Sequence, residues 1–139
     1  MKCEMLFGYK KKDIFDETEI SEGRSEAIVK DLIANTEIVT ETTENAGVKI
    51  SAVGYEADSD GTTIYSFCDI TATRALEPGY EITVKYNLYD ASGNILGSES
   101  DNFIGEDFTG YETFRFMFYD EGIVRKAKKA KVFVTKKRV

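Results

Sequence analysis

Apolar and polar residues alternate most regularly in residues 80–97. One face of the first half of this stretch carries the apolar and aromatic side chains Tyr80, Ile82, Val84, Tyr86 and Leu88. A period of two is typical of a strand with one buried face. Gly93 then stands between Asp90 and Asn94. Because glycine accepts positive φ and Asp and Asn side chains bond nearby backbone, the pattern predicts a β-hairpin whose second strand begins at Ile95.

Four further segments show the same period and are predicted to be strands: residues 48–55, 62–73, 111–119 and 129–135. In the first of them the apolar face changes between Ala52 and Val53, and this switch beside Gly54 indicates a β-bulge. Residues 98–110 are polar and acidic, which favours a loop. The apolar residues expected to anchor this loop at the edge of the core are Phe103, Ile104 and Phe108.

The first 47 residues carry a different pattern. In residues 21–35, Ile28 and Leu32 form an i, i+4 apolar pair that predicts a helix. A strand over residues 27–33 is the alternative. The remaining segments are interpreted as a short strand at residues 4–9 and as a connection or exposed edge strand, ending in a turn, at residues 36–47.

Six or seven short strands at this spacing indicate a mostly β fold, an antiparallel immunoglobulin-like β-sandwich with one short N-terminal helix. The chain of 139 residues is long enough for one domain whose core needs no metal or disulfide. We expect residues 48–139 to form the sandwich and residues 1–47 to form an extension that packs on it, in one structural domain overall. A hydrophobic content of 42% argues against a disordered chain.

Basic residues are concentrated at the C-terminal end of an acidic chain. The formal net charge is −7, yet residues 125–139 hold eight basic residues and no acidic one. Such a segment suits nucleic acid or an anionic membrane. The alternative is an edge strand protected by lysines and attracted to its own acidic domain. Only Phe133 interleaves with these residues, whereas nucleic-acid grooves also offer several stacking aromatics. We therefore expect no nucleic-acid partner.

Cysteine and histidine content limits the chemistry. Cys3 and Cys68 are predicted to be free thiols, because Cys68 lies in a strand-like apolar run where cysteine behaves as a small hydrophobe. In an oxidising compartment the two would be able to form one bridge. The sequence has no histidine, which excludes histidine-based triads, histidine metal ligands and histidine pH switches.

The first residues bear on localisation. Residues 5–7 are apolar but are followed at once by Gly8 and lysines, and a secretory signal needs about 7 to 15 apolar residues. No window approaches the roughly 20 apolar residues of a spanning helix, so we expect no membrane insertion. The protein is expected in the cytoplasm if Met1 is its native start. An extracytoplasmic origin stays open otherwise.

Residues 86–97, with the sequence YNLYDASGNILG, resemble the FxLYD domain, a small bacterial and archaeal β-sandwich module. Tyr86 stands where the family name has Phe and keeps an aromatic ring on the buried face. The residues that stand where the motif expects them are Leu88, Tyr89, Asp90, Gly93 and Gly97. The resemblance extends over residues 48–135. It implies an immunoglobulin-type module, often attached to envelope or secreted proteins, with no established catalytic residues to carry over.

Two groups of acidic residues raise the question of metal binding or catalysis. Asp58 and Asp60 look like half a calcium loop, but the twelfth position counted from Asp58 is Asp69, inside a predicted strand. They are weak metal candidates. The acids that would be able to act as general acid and base, or as a cation site, are Glu99, Asp101, Glu106, Asp107, Asp120 and Glu121. Loop carboxylates of an acidic protein are usually solvated, so we expect no enzymatic activity, no cofactor and no functional metal.

Side chains opposite the core stripes give the better functional signal, and they are Tyr65, Phe67, Tyr89, Met117 and Tyr119. Phe108, from the predicted loop, is added to this possible binding surface. Aromatic and methionine side chains on an exposed strand face suit a binding surface. Burial under the N-terminal segment is the alternative. We therefore expect a non-catalytic β-sandwich module that binds another protein or another copy of itself. A carbohydrate- or small-ligand-binding sandwich is the second hypothesis, and a metal-dependent enzyme is the third.

Overall fold

Two β-sheets pack face to face around a shared core. A computed structural model describes residues 17–58 and 60–139, with side chains from Arg24 onward. The strands formed within these ranges are β1 (Thr36–Ile38), β2 (Val48–Ala57), β3 (Ile64–Ala72), β4 (Tyr80–Tyr89), β5 (Ile95–Ile104), β6 (Tyr111–Phe118) and β7 (Lys129–Arg138). The strand predicted at residues 4–9 and Cys3 lie outside the described residues.

The order of the strands shows which of them are edges. One sheet has the order β1, β7, β4, β5, and the other has the order β2, β3, β6. All neighbours are antiparallel except β1 and β7, which run parallel. The predicted mostly β sandwich is confirmed. The parallel pairing of β1 and β7 was not predicted, because local alternation does not reveal the direction of a neighbouring strand.

The inward-facing residues follow the predicted alternation. β4 buries Ile82, Val84, Tyr86 and Leu88, each at most 2% exposed, while β6 contributes Phe114, Phe116 and Phe118 and β7 contributes Ala130, Val132 and Val134. At the centre, the ring of Tyr86 lies 5.8 Å from that of Tyr55 and 5.7 Å from that of Phe116, measured between ring centres. These three rings come from β4, β2 and β6, so they tie the two sheets together.

Three described helices close the open sides of the sandwich. α1 (Glu17–Ala34) buries Ile28, Val29 and Leu32 and packs against β2 and β7. α2 (Thr40–Asn45) packs on the same two strands, and α3 (Glu121–Lys126) packs against β5. α1 confirms the predicted helix and excludes a strand over residues 27–33. α2 and α3 were not predicted, because six residues are too few to show a helical period.

The predicted loop over residues 98–110 is wrong for most of its length. β5 continues through the polar residues and stays paired with β4 as far as Ile104, which lies opposite Glu81. An edge strand tolerates polar side chains at inward as well as outward positions, so the sequence of this strand shows no alternation. The connection itself is short, with a 3-10 turn at Gly105–Asp107. Phe103 and Phe108 pack against the core beside it, as predicted.

The predicted bulge in β2 exists but lies earlier in the strand. The pairing with β3 shifts between Ile50 and Ala52, so Ser51 is the extra residue. Gly54 is a regular member of the ladder, opposite Phe67. Because a bulge redirects the side chains that follow it, Tyr55 points into the core and is 0% exposed.

β7 is not the free edge that its lysines suggested. β4 lies on one side of it, and β1 covers residues 130–132 on the other. Beyond β1, the N–H of Val39 donates to the carbonyl of Val132 at 3.1 Å. The buried N–H of Val134 donates to Oγ1 of Thr43, in α2, at 3.1 Å. The backbone of β7 is therefore satisfied on this side as far as Val134.

The turn between β4 and β5 has the predicted chemistry. Oδ1 of Asp90 accepts hydrogen bonds from the N–H groups of Ser92 and Asn94, each at 2.9 Å. These bonds, led by the backbone bond from Asn94, lower the pKa of Asp90. Gly93 has a φ of 91°, which L side chains rarely adopt. The predicted hairpin is confirmed.

Candidate functional site

The outward face of the three-stranded sheet brings together Tyr65, Phe67, Arg115 and Met117, which are termed the outer aromatic face. In the ladder between β3 and β6, Tyr65 lies opposite Met117 and Phe67 lies opposite Arg115. Cζ of Arg115 lies 4.7 Å from the ring centre of Tyr65 and 5.2 Å from that of Phe67. Both distances are short enough for cation–π attraction, so the guanidinium is held against two rings.

Strand alternation explains why these side chains point outward. The core residues of the same two strands are Ile64, Ser66, Cys68, Ile70, Phe114, Phe116 and Phe118, and the residues between them must face the other way. Tyr65, Phe67 and Met117 are half-buried, and Arg115 is exposed. The described helices pack against β2, β7 and β5, at the sides of the sandwich. Among the described elements, none is seated on the outer aromatic face.

A cleft adjoins this face where β5 and β6 separate. At one end, a Cβ atom on Gly97 of β5 would lie 3.3 Å from the ring of Phe118. At the other end, the rings of Phe103 and Phe114 stack with their centres 5.7 Å apart. Between these contacts a cavity of about 430 Å³ is lined by Glu99, Ser100, Asp101, Arg115, Phe116, Met117 and Tyr119. It is termed the edge cleft, because β5 and β6 are edge strands of their sheets.

Glu99 and Asp101 form an acidic wall of the edge cleft. They lie opposite Tyr86 and Val84 in the ladder with β4, and so they occupy inward positions of an edge strand. Both are exposed, and neither forms an ion pair with a described residue. Charges at such positions discourage unselective pairing with an apolar strand. The acidic wall therefore brings negative charge to a cleft that Arg115 also lines.

The structure brings together four of the six side chains that the sequence singled out, namely Tyr65, Phe67, Met117 and Tyr119. Tyr119, which is 65% exposed, lies at the rim of the edge cleft. Phe108 is placed elsewhere, stacked on Phe103 with their ring centres 4.7 Å apart. Tyr89 lies on the outward side of the other sheet, with Nζ of Lys131 5.9 Å from its ring centre.

Sequence reasoning left Arg115 out of the candidate surface. Its alternation with Phe114 and Phe116 does place it on the same side of the strand as Met117. That pattern does not show which strand lies next to β6, and the contact with Tyr65 depends on the pairing of distant segments. An arginine at an outward strand position between two inward phenylalanines is the one signal that would have suggested Arg115 as a surface residue of interest.

Four of the other acidic candidates serve local structure. Oδ1 of Asp60 accepts hydrogen bonds from the N–H and the hydroxyl of Thr62, and Asp120 caps α3 through the N–H of Gly122. Two more are engaged in the same way, Glu106 by the N–H of Gly79 and Glu121 by Arg125. In the described part of the chain, no group of three or more acidic, cysteine or histidine side chains is arranged to hold a metal ion.

Cys68 is a buried free thiol, 1% exposed. Burial, together with the neighbouring charge of Asp69, raises the pKa of Cys68 to about 12. Because the thiolate is the reactive form, we expect a Cys3→Ser variant at about pH 8 to react with DTNB at least about a hundredfold more slowly when native than in denaturant. Colorimetric thiol titration measures both rates. Prompt reaction of the native variant would contradict this account of Cys68.

The basic residues near the C-terminus divide into two groups. The ion pairs are Arg125 with Glu121, Lys128 with Asp31 and Lys136 with Glu77. The basic residues that form no ion pair with a described residue are Lys126, Lys129, Lys131, Lys137 and Arg138. The segment therefore retains unpaired positive charge on β7. Separately, no helix in residues 17–58 or 60–139 combines the length and apolar character needed to cross a membrane.

Comparisons with known proteins show limited likeness. No protein-family model and no curated protein sequence matches this chain. The crystal structure of Campylobacter jejuni cj0090 shares 9% sequence identity with a TM-score of 0.44, covering 74% of this chain and 98% of that one. A DUF1425 family member from Shewanella sp. pv-4 shares 16% identity with a TM-score of 0.41, covering 63% and 75%. The C-terminal domain of wzt shares 10% identity with a TM-score of 0.39, covering 53% and 52%. At these values the likenesses carry no argument about function.

Proposed function

We propose that this chain is a non-catalytic module that binds another protein through the outer aromatic face and the edge cleft. The observation that carries the proposal is the position of Arg115, whose guanidinium lies over the rings of both Tyr65 and Phe67 on an outward sheet face. Arginine and tyrosine are enriched among the residues that dominate binding energy at protein interfaces. The same surface continues into a cleft with room for side chains of a partner.

The contacts of Arg115 suit it to binding. A guanidinium already stacked on two rings loses little further rotamer freedom when a partner covers it. Its N–H groups stay available for a partner's carbonyl or carboxylate groups, since no described acid pairs with them. Half-buried Tyr65, Phe67 and Met117 supply apolar area that association would remove from water. Glu99 and Asp101 at the rim would select for basic groups on the partner.

The absence of catalysis stays part of the proposal. The sequence offers no histidine base, and the Cys68 thiol is buried with a raised pKa, so neither supports nucleophilic chemistry. The resemblance to the FxLYD domain, which also brings no catalytic residues, remains a prediction. Binding to a second copy of the chain is one form of the proposed activity.

Arg115→Ala is expected to weaken binding to the partner by at least about thirtyfold, because an interface arginine of this kind is worth about 2 kcal/mol or more. Since Arg115 is exposed, the free energy of unfolding should change by less than about 1 kcal/mol. Arg138→Ala is the matched control, because Arg138 lies over the ring of Tyr80 at 5.2 Å on the other sheet. It should leave binding unchanged.

The partner is first to be defined by placing a photo-crosslinking amino acid at Tyr119 or, as a control on the other sheet, at Thr135. A partner or a second copy should be captured from position 119 and lost in the Arg115→Ala background. Affinity is then measured with the purified partner by calorimetry. Identical adducts from both positions, or equal loss of affinity in the Arg115 and Arg138 variants, would refute the proposed surface.

A further inference from the structure

A second cleft lies on the outward side of the four-stranded sheet, away from the outer aromatic face. It has a volume of about 360 Å³ and is lined by Asn35, Thr36, Glu37, Tyr89, Gly93, Lys129, Ala130 and Lys131. The segments that meet here are the end of α1 with β1, the end of β4 and the start of β7. It is termed the Tyr89 cleft, after the aromatic side chain in its lining.

A chain of hydrogen bonds orients the hydroxyl of Tyr89. Oγ of Ser98 donates to Oδ1 of Asn87 at 2.7 Å, and Nδ2 of Asn87 donates to Oη of Tyr89 at 3.1 Å. Because the phenol oxygen accepts in this chain, its own proton remains to be donated. None of the described residues accepts that proton. Tyr89, which lines the cleft, therefore keeps a hydroxyl proton for donation.

Two ammonium groups accompany this donor. Lys129 lies opposite Tyr89 in the ladder between β4 and β7, and Nζ of Lys131 lies 5.9 Å from the ring centre of Tyr89. Neither lysine forms an ion pair with a described residue. One acid, Glu37, lines the cleft beside Lys131 in the parallel ladder with β1. The two lysines outweigh it, so the cleft is locally positive on a chain whose formal charge is −7.

We infer that the Tyr89 cleft binds the phosphate group of a small phosphate monoester. Such a group carries a charge of about −1.5 to −2 near pH 7 and offers three acceptor oxygens. Two ammonium groups and one hydroxyl donor match the three phosphate oxygens in number, whereas a carboxylate offers only two oxygens. Hydrogen bonds between charged partners are about twice as strong as neutral ones. The inference does not depend on the proposed protein interaction, because no residue of the outer aromatic face takes part.

The test is a titration of isotope-labelled protein with glucose 6-phosphate and with inorganic phosphate at constant ionic strength, followed by NMR. We expect saturable shifts confined to the amides of residues 35–37, 89–93 and 129–131. Tyr89→Phe and Lys131→Gln should each weaken binding by about three- to tenfold, because each removes one donor to the phosphate. Lys137→Gln should leave it unchanged. This control removes the same charge from the outward side of the same strand, opposite Glu81.

The inference is overturned if the shifts do not saturate, or if Lys131→Gln and Lys137→Gln lose binding equally. Either result would mean that phosphate is attracted only by the overall positive charge of the strand. The inference is also overturned if the protein associates with vesicles containing phosphatidic acid but shows no saturable binding of glucose 6-phosphate. That result would assign the donors to a lipid headgroup. The spectrum of each variant outside the cleft reports whether its fold is intact.

Discussion

Tyr86→Ala is expected to lower the free energy of unfolding by about 3–5 kcal/mol, the usual cost of removing a large buried aromatic ring. Tyr86 is 0% exposed and contacts the rings of Tyr55 and Phe116, so its loss opens a cavity between the two sheets. The hydroxyl also donates to the carbonyl of Phe67 at 3.2 Å. For a chain of this length the melting temperature should fall by roughly 10–20 °C.

Tyr86→Phe is the control that separates the ring from the hydroxyl. It keeps the aromatic contacts and loses the hydrogen bond to Phe67, so it should cost only about 1 kcal/mol. Urea unfolding followed by circular dichroism measures both variants. If Tyr86→Ala were no less stable than Tyr86→Phe, the junction of the three rings would not be the centre of the core.

Thr43→Val is expected to destabilise the protein by about 1–3 kcal/mol, although the two side chains have nearly the same shape. Thr43 is 2% exposed. Its Oγ1 accepts from the buried N–H of Val134 at 3.1 Å and donates to the carbonyl of Val39 at 2.7 Å. Valine would leave the N–H of Val134 buried without an acceptor.

Two measurements check this second prediction. Chemical unfolding gives the change in stability, and hydrogen exchange should speed up at the amide of Val134 relative to that of Val84, in the centre of the same sheet. Thr43→Ser keeps the hydroxyl and should lose less stability than Thr43→Val. The reverse order would show that the methyl group of Thr43, rather than its hydrogen bonds, secures α2 to β7.

The sequence predicted the parts of the fold that depend on local pattern. β4 shows this best. Its alternation predicted the buried residues that the structure confirms, and Asp90 and Gly93 predicted the turn that follows it. Burial of one strand face imposes a period of two on the sequence, so the pattern is legible without any neighbour. α1 was predictable in the same way, because its buried apolar residues recur at helical spacing.

The wrong predictions lie where the alternation is absent or where more than one structure is consistent with it. The part of β5 from residue 98 onward was mistaken for a loop, because an edge strand in contact with solvent does not need to alternate. The bulge was placed at Gly54 rather than Ser51, since a change of face is visible in sequence only after the extra residue. α2 gives no signal of its own, because its main buried contact is the hydroxyl of Thr43 with β7.

The candidate sites show the same division. The sequence named Tyr65, Phe67 and Met117 as outward residues, but not that Arg115 lies over the first two rings. It named Tyr89 as well, but grouped it with residues that lie on the other sheet. A side chain's outward direction follows from its own strand, whereas its neighbours follow from strand order.

By itself, then, the sequence determined that this chain forms a mostly β sandwich, which residues line its core and where its principal hairpin turns. Only the tertiary structure decided that β1 runs parallel to β7, that Arg115 meets Tyr65 and Phe67, and that Lys131 of β7 lies beside the ring of Tyr89. The physical reason is that burial acts on each residue through its own strand, while these contacts join segments far apart in the chain, whose pairing is selected by the packing of the whole core.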